Sequence, residues 1–440
     1  MATASGPLEE PPSLLLLPAS PCVPRAVYHA PLAAVLIRLS NEHRRRAAAC
    51  TPPQPPPPPA LVVVAIATPV LAGPSPRARL VYWRRAQALL AETYALIASI
   101  AAEHAIATDL GSCEPGSVDA RIILVDYDGT GPSPGPGGRQ QAVVVPDLAR
   151  FASTLHPWST VYYPTGGPGE ELLAAYTALA EGHQTLQQNT IVVVDGVSDP
   201  TPHSPTTENG GGGDLEVAVE DAVRGYSTVS LGGTFDHLHP GHKLLLHAAA
   251  LLLHIPDDDA PTPSRKPAVL IVGVSGDELL TKKQFADELQ EWDARARSVI
   301  EFLATVLAEA PTTSTPSVTT TMSAIPSASG TSPKELHATF CNGGLLVRCV
   351  YLCDPFGPTI TEESVDAIVV SGETRSGGQA INDRRKDRGW KGLDMYEIDV
   401  LDAIDGTDET ATSAKPADSF AAKISSTEIR KKRAQARKAR

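Results

Sequence analysis

The chain reads as an α/β protein of two parts, and three observations predict this. Short apolar runs rich in β-branched residues alternate with longer Ala/Leu-rich segments of helical period. Many of those short runs lack polar alternation, which marks strands covered on both faces and hence a largely parallel sheet. A Pro-, Thr- and Gly-rich stretch from Ser198 to Asp214, containing Gly210 to Gly213, separates two such patterns. The second pattern predicts a doubly wound parallel sheet of five strands, and a second α/β domain precedes it. The expected domains are 1–196, a linker over 197–225, and 226–440.

Composition fits this plan. At 440 residues the chain can hold two or three domains, and a hydrophobic content of 42% is ordinary for a soluble protein. The 40 prolines and 34 glycines are unevenly placed, which points to spacers and insertions. A formal net charge of −13 argues against a general nucleic-acid binder. Six scattered cysteines suggest reduced intracellular thiols, with Cys349 and Cys353 as core thiols in one strand and no second pair to complete a zinc site. No metal ligand set is expected. The most apolar run, Ala60 to Ala72, is broken by Pro69 and falls short of the roughly 20 residues that cross a bilayer. Glu9 and Glu10 stand where a secretory signal would be positive, and Leu14 to Leu17 is too short for its apolar core. A cytoplasmic protein without membrane or nucleic-acid partners is the expectation.

In the first part, Leu61 to Ile66, Ile122 to Asp126, Ala142 to Pro146 and Thr190 to Asp195 read as buried strands. Arg77 to Ile106 and Glu170 to Gly182 read as helices. Pro52 to Pro59 and Gly129 to Gly138 read as spacers. No catalytic constellation stands out here.

In the second part, strands are expected at Thr228 to Leu231, Ala268 to Val274, Leu345 to Leu352, Ala367 to Val370 and Met395 to Val400. Helices are expected from the stretch after Gly241 to about Leu253, and from Asp287 to Glu309. The Thr/Ser/Pro stretch at about 311–333 has little to bury and reads as a disordered insertion. The basic residues from Arg430 to Arg440 read as a helix extension with a frayed end, with a nuclear address as the other reading.

One stretch carries the chemistry: Gly232-Gly233-Thr234-Phe235-Asp236-His237-Leu238-His239-Pro240-Gly241-His242-Lys243. A strand precedes it and an apolar helical run follows. Glycines let a ligand approach the backbone closely, and a helix start offers N–H groups and a positive dipole end to phosphate. His239 and His242, three apart, share a face of the first turn. Single histidines or glycine pairs are usually surface features of a strand–helix turn; the combination is not.

This string, with its His-x-Gly-His core, resembles the signature of the nucleotidylyltransferase superfamily. Ile424-Ser425-Ser426-Thr427-Glu428-Ile429-Arg430 resembles the second signature of those enzymes. The fit is nearest to eukaryotic-type phosphopantetheine adenylyltransferases, including the corresponding domain of bifunctional CoA synthase. Leu279-Leu280-Thr281-Lys282-Lys283, Asp354-Pro355-Phe356-Gly357-Pro358 and Ser371-Gly372-Glu373-Thr374, followed by Gly377 to Asn382, carry the narrower resemblance, which covers roughly 226–435. It implies a Rossmann-like sheet and transfer of AMP from ATP to 4'-phosphopantetheine, giving dephospho-CoA and pyrophosphate, with Mg²⁺ brought by ATP.

The resemblance also implies site roles. His242 would stabilise charge on the α-phosphate, with His239 on the triphosphate and Thr234 as a donor nearby. Lys283 (or Lys282) and Arg295 would hold the phosphopantetheine phosphate. Ser425, Ser426 and Thr427 would cradle the β- and γ-phosphates, and Arg430 would add charge. Gly232, Gly233, Phe235, Gly372, Glu373, Thr374 and Asn382 would lie about the nucleotide. Arg375 stands one position before the family's arginine, so Arg384 or Arg385 could serve in its stead. His237 falls where the family varies and reads as a rim residue. Lys282 and Lys283 also suit a solvated pair, and Ser425 to Thr427 an ordinary helix cap.

No Gly-x-x-x-x-Gly-Lys-Ser/Thr phosphate loop occurs, so a monofunctional, fungal-type form is expected, with a separate dephospho-CoA kinase among its pathway partners. The competing readings are a cytidylyltransferase for phosphocholine or phosphoethanolamine, and a non-catalytic scaffold of a CoA-synthesising complex.

Overall fold

The computed structural model describes residues 11–20, 24–50, 56–72, 80–129, 144–154, 157–184, 186, 190–195, 222–255, 266–307, 334–398 and 426–438. The first part runs β1 (Ser13–Leu17), α1 (Pro24–Ala49), β2 (Ala60–Ala67), β3 (Leu71–Ala72), β4 (Leu80–Tyr82), α2 (Trp83–Glu103) and β5 (Val118–Val125). It continues through α3 (Leu148–Thr154), β6 (Val161–Pro164), α4 (Gly167–Ala180) and β7 (Ile191–Val194). The second runs β8 (Ala222–Val223), β9 (Thr228–Gly233), α5 (Pro240–Ala250), β10 (Ala268–Ser275), α6 (Asp277–Leu280) and α7 (Trp292–Val306). After these come β11 (Glu335–Phe340), β12 (Leu345–Leu352), β13 (Ala367–Ser371), α8 (Arg375–Asp387), β14 (Asp394–Ile398) and α9 (Ser426–Lys438).

The α/β class is as predicted. The first sheet is parallel, in the order β5-β2-β1-β6-β7. The second has the order β11-β12-β10-β9-β13-β14, whose last five strands are parallel and whose edge strand β11 runs antiparallel to β12. The five expected strands of this sheet are all present. Strand β11 was not read from the sequence, because Glu335-Leu336-His337-Ala338-Thr339-Phe340 alternates like a half-exposed edge rather than a buried run.

Three differences in the first part have plain causes. Leu14 to Leu17 is the fully buried middle strand of the first sheet, and its length hid it. Helix α1 carries a Pro near its start and many arginines, so it lacks a clean apolar stripe. Val144 to Pro146 form a bend instead of a strand. The stretches Ser198 to Asp214 and Pro311 to Pro333 lie outside the described residues. Cys349 is buried as expected, whereas Cys353 is exposed, since β12 ends at Leu352.

The two sheets share a core. Helices α2 and α5 pack on one another between them, and buried side chains of both form one cluster, with Leu15, Val64, Tyr94 and Leu124 joined to Leu231, Leu246, Leu270 and Trp292. The Trp83 indole N–H donates to the Ala248 carbonyl at 2.9 Å across this junction. An ion chain, buried except at Glu301, crosses it too. Lys243 of α5 donates to Asp119 Oδ1 at 2.5 Å, and Arg121 pairs with Asp119 at 2.6 Å and with Glu301 of α7 at 2.7 Å. Among the described residues, no helix is long and apolar enough to cross a membrane.

Candidate nucleotide site

In the second sheet the order reverses between β9 and β13, and ligands of doubly wound sheets sit beyond the strand ends at such a reversal. Both neighbouring ends carry expected motifs. Strand β9 ends in Gly232-Gly233, and β13 ends at Ser371, with Val369 opposite Leu231 in register. A Cβ added at Gly232 would meet nothing nearer than 3.8 Å, so the backbone face there is open.

From Thr234 to His239 the chain turns back sharply. Phe235 and His237 take left-handed φ values of 51° and 47°, which side chains adopt only when surroundings enforce it. Here the enforcement is visible. The Phe235 ring is buried against Gly233 and lies 5.3 Å, centroid to centroid, from the His242 ring. The His237 N–H donates to Gln290 Oε1 at 2.7 Å, and its Nε2 is 2.9 Å from the Glu288 carbonyl. His237 was expected on the rim; it is buried beneath the loop as a prop.

His239 sits at the N-cap of α5, with Pro240 opening the helix, a residue suited to that position because its φ is preset. The His239 and His242 rings stack at 3.9 Å. Their Nδ1 atoms are shut away from solvent and have no hydrogen-bond partner within the described residues. Burial, with smaller contributions from neighbouring cationic groups, holds His239 well below the usual histidine range. Burial likewise lowers His242 to about 4, against the opposing pull of Asp236. Both imidazoles are therefore neutral near pH 7.

Arginines hold the loop from behind. Arg295 of α7 is buried and donates to the carbonyls of Thr234 (2.8 Å), Ser275 (2.9 Å) and Gln290 (2.9 Å), and to Asp277 Oδ1 at 3.1 Å. Arg430 of α9 donates to Asp236 Oδ2 at 2.6 Å, to the Gln284 carbonyl and to Thr427 Oγ1. Ser426 Oγ donates to the Asp236 carbonyl at 2.9 Å. The second signature therefore docks directly on the first. Ser425 lies outside the described residues.

Thr234, His239, His242, Arg295, Ser426, Thr427 and Arg430 thus gather at one end of α5. Gly372, Glu373 and Thr374 form an exposed turn on the neighbouring strand end, capped reciprocally by Ser371 and Thr374. Lys282 and Lys283 are exposed on the turn after α6. Arg375 is mostly exposed and pairs with Glu397 at 3.3 Å, and the Arg384 guanidinium lies over the Phe356 ring. Two further residues are committed elsewhere. Asn382 is clamped to the Leu393 backbone through both ends of its amide, and Arg385 is buried with its donors on the carbonyls of Thr359, Glu362, Glu363, Val365 and Lys391.

Sequence reasoning missed Asp236, Gln290 and Lys243 as parts of this assembly. The signals existed: Asp236 stands between Phe235 and His237, Lys243 stands directly before an apolar run, and Asp119-Ala120-Arg121 places two charges in an otherwise apolar strand. Charges in such places require partners.

Comparisons with known proteins show which proteins the chain resembles. Residues 1–199 match the family described as a domain of unknown function, DUF8446. The chain is 33% identical over 201 residues to an uncharacterized protein of Schizosaccharomyces pombe, covering 46% of each chain. It is 29% identical over 206 residues to a phosphopantetheine adenylyltransferase of Saccharomyces cerevisiae, covering 47% of this chain and 48% of that one. The chain is a distant relative of phosphopantetheine adenylyltransferases. An archaeal protein of that name, from Methanothermobacter thermautotrophicus, is 28% identical over 189 residues, covering 43% of this chain and 83% of its own. The chain thus spans about half the length of the two fungal relatives, at 46% and 48%.

Proposed function

We propose that the protein is a phosphopantetheine adenylyltransferase, transferring AMP from ATP to 4'-phosphopantetheine and releasing pyrophosphate. The observation that carries the reading is the docking of Ser426, Thr427 and Arg430 on the loop that presents His239 and His242. That contact brings two helix N-termini and two neutral imidazoles to one strand end, a setting suited to a triphosphate.

In this reading the phosphate ester of phosphopantetheine attacks the α-phosphorus of ATP in line. The bond from that phosphorus to the bridging oxygen breaks, and pyrophosphate leaves. Both reactants are anions, so the site must supply donors and positive potential; the nucleophile is already ionised and needs no general base. His242 donates to the α-phosphate as its charge grows, and His239 donates beside it. Anionic oxygens brought next to these buried rings raise their affinity for protons, which strengthens both donors. Ser425, Ser426 and Thr427 hold the outer phosphates, and Lys282 or Lys283 receives the phosphopantetheine phosphate.

Arg430 and Arg295 take positioning roles, because their guanidinium donors are engaged by Asp236, Asp277 and backbone carbonyls. Asn382 and Arg385 hold α8 to its surroundings instead of facing nucleotide, which leaves Arg375, Arg384 and Lys386 as the exposed cations of that helix. Mg²⁺ is taken as part of the substrate, borne by triphosphate oxygens and water. A separate kinase would complete coenzyme A.

Pyrophosphate release with ATP and 4'-phosphopantetheine tests the reading. Turnover with CTP and phosphocholine alone would assign the chain to the cytidylyltransferases.

A further inference from the structure

We infer that Asp109, a residue of the first half of the chain, is a positioning residue for the nucleotide site, acting through Arg433 on helix α9. The inference rests on the proposed reading of that site as one for MgATP.

Helix α9 shows three arginines at i, i+3 and i+7, namely Arg430, Arg433 and Arg437, a spacing that places them along one side. Each reaches a carboxylate on a different segment. Arg430 pairs with Asp236 of the His-x-Gly-His loop at 2.6 Å. Arg433 pairs with Asp109 Oδ2 at 2.9 Å, and Arg437 meets Glu288 at 3.2 Å. The basic run is thus a row of anchors.

The middle anchor differs from the others because its carboxylate comes from the segment between α2 and β5. That segment is fixed to the loop independently, since Leu110 N–H donates to the Leu238 carbonyl at 3.0 Å. The same Asp109 oxygen lies 3.8 Å from His237 Nδ1, the ring whose other nitrogen faces the Glu288 carbonyl. Asp109 is only 5% exposed, and a carboxylate so placed is costly without a cationic partner. Ser426 and Thr427 open the same helix. A tilt of α9 on losing Arg433 therefore displaces directly the groups assigned to the outer phosphates, whereas Lys282 and Lys283, on the turn after α6, are reached only at one remove, through the Gln284 and Glu288 contacts that Arg430 and Arg437 keep.

The test uses the full chain with Asp109→Asn, Arg433→Gln, their double variant and Arg433→Lys. Calorimetry measures MgATP affinity, steady-state kinetics gives the KM of each substrate, and hydrogen exchange follows the α9 amides without ligand. Loss of the charged pair is expected to weaken MgATP binding about tenfold in either single variant. The double variant should be no worse than the singles, because the two residues act as one pair. The KM for 4'-phosphopantetheine should stay within about twofold, α9 amides should exchange faster, and Arg433→Lys should recover most of the affinity. Unchanged MgATP affinity in both single variants, or equal losses for both substrates, would overturn the inference. If the parent chain binds no MgATP, the functional reading fails by itself; the anchor is then judged by exchange, and unchanged α9 protection in Asp109→Asn refutes it.

Discussion

His242 is the side chain on which the proposed chemistry turns. It is held by the Phe235 ring on one side and His239 on the other, and its Nδ1 has no hydrogen-bond partner among the described residues. Replacing it with Ala should lower turnover by at least about 100-fold, as loss of one transition-state donor does, while the circular dichroism spectrum stays native. Near-normal turnover would refute the assigned role. Buried histidines also predict an acid limit. Burial lowers His242 to about 4 and His247 to about 3, against an ordinary value of 6.5. Above pH 6.5 neither the folded nor the unfolded chain carries these protons. Below it the unfolded chain takes them up and the folded chain does not, so stability must fall as pH drops from 6.5 towards 4. Melting temperatures measured across that window should decline, and His247→Gln should flatten part of the decline. A flat profile in the parent chain would contradict the assigned protonation states.

At the scale of elements, the site depends on how α9 and α5 are fastened. Arg430→Ala leaves Asp236 buried without its cation, a change that costs about 3–5 kcal/mol in comparable pairs. Thermal melting should show that loss, and MgATP affinity should fall with it as Ser426 and Thr427 lose their placement. Asp119→Ala should be comparably destabilising. Burial works against its charge, but Arg121 and Lys243 pull its carboxyl down to about 2, and without it both cations stay buried. Legibility in sequence divides along the same line. Buried parallel strands announce themselves as apolar runs, so β2, β5, β9, β10, β12 and β13 were readable, and the less buried edge strands β7 and β14 were read with them. The antiparallel edge β11 and the short β6 were not, and β1 was too short to separate from any other leucine run. At the candidate site, the glycine–histidine loop was readable because its residue types and spacing lie together in one stretch of the chain. The carboxylates behind it, Asp236, Asp109 and Asp119, were not, because partner choice depends on which segments the fold brings together.

For the whole molecule, the separation into a first half and a second half that carries the candidate site is only nominal. The sheets meet through α2 and α5 over a common core, and Lys243 of the second half is neutralised by Asp119 of the first. Residues 222–440 expressed alone should therefore be poorly soluble and bind hydrophobic dyes, because removing the first half exposes Leu246, Ala249 and their neighbours. A soluble, fully active fragment would contradict the shared core. Linkage of this kind explains how a segment with no chemistry of its own can matter to the nucleotide site. The most direct test of the central claim is pyrophosphate release by the full chain, with ATP or CTP offered against 4'-phosphopantetheine or phosphocholine. The predicted result is turnover with ATP and 4'-phosphopantetheine together, abolished by His242→Ala; activity confined to CTP, or none with any pair, would contradict it.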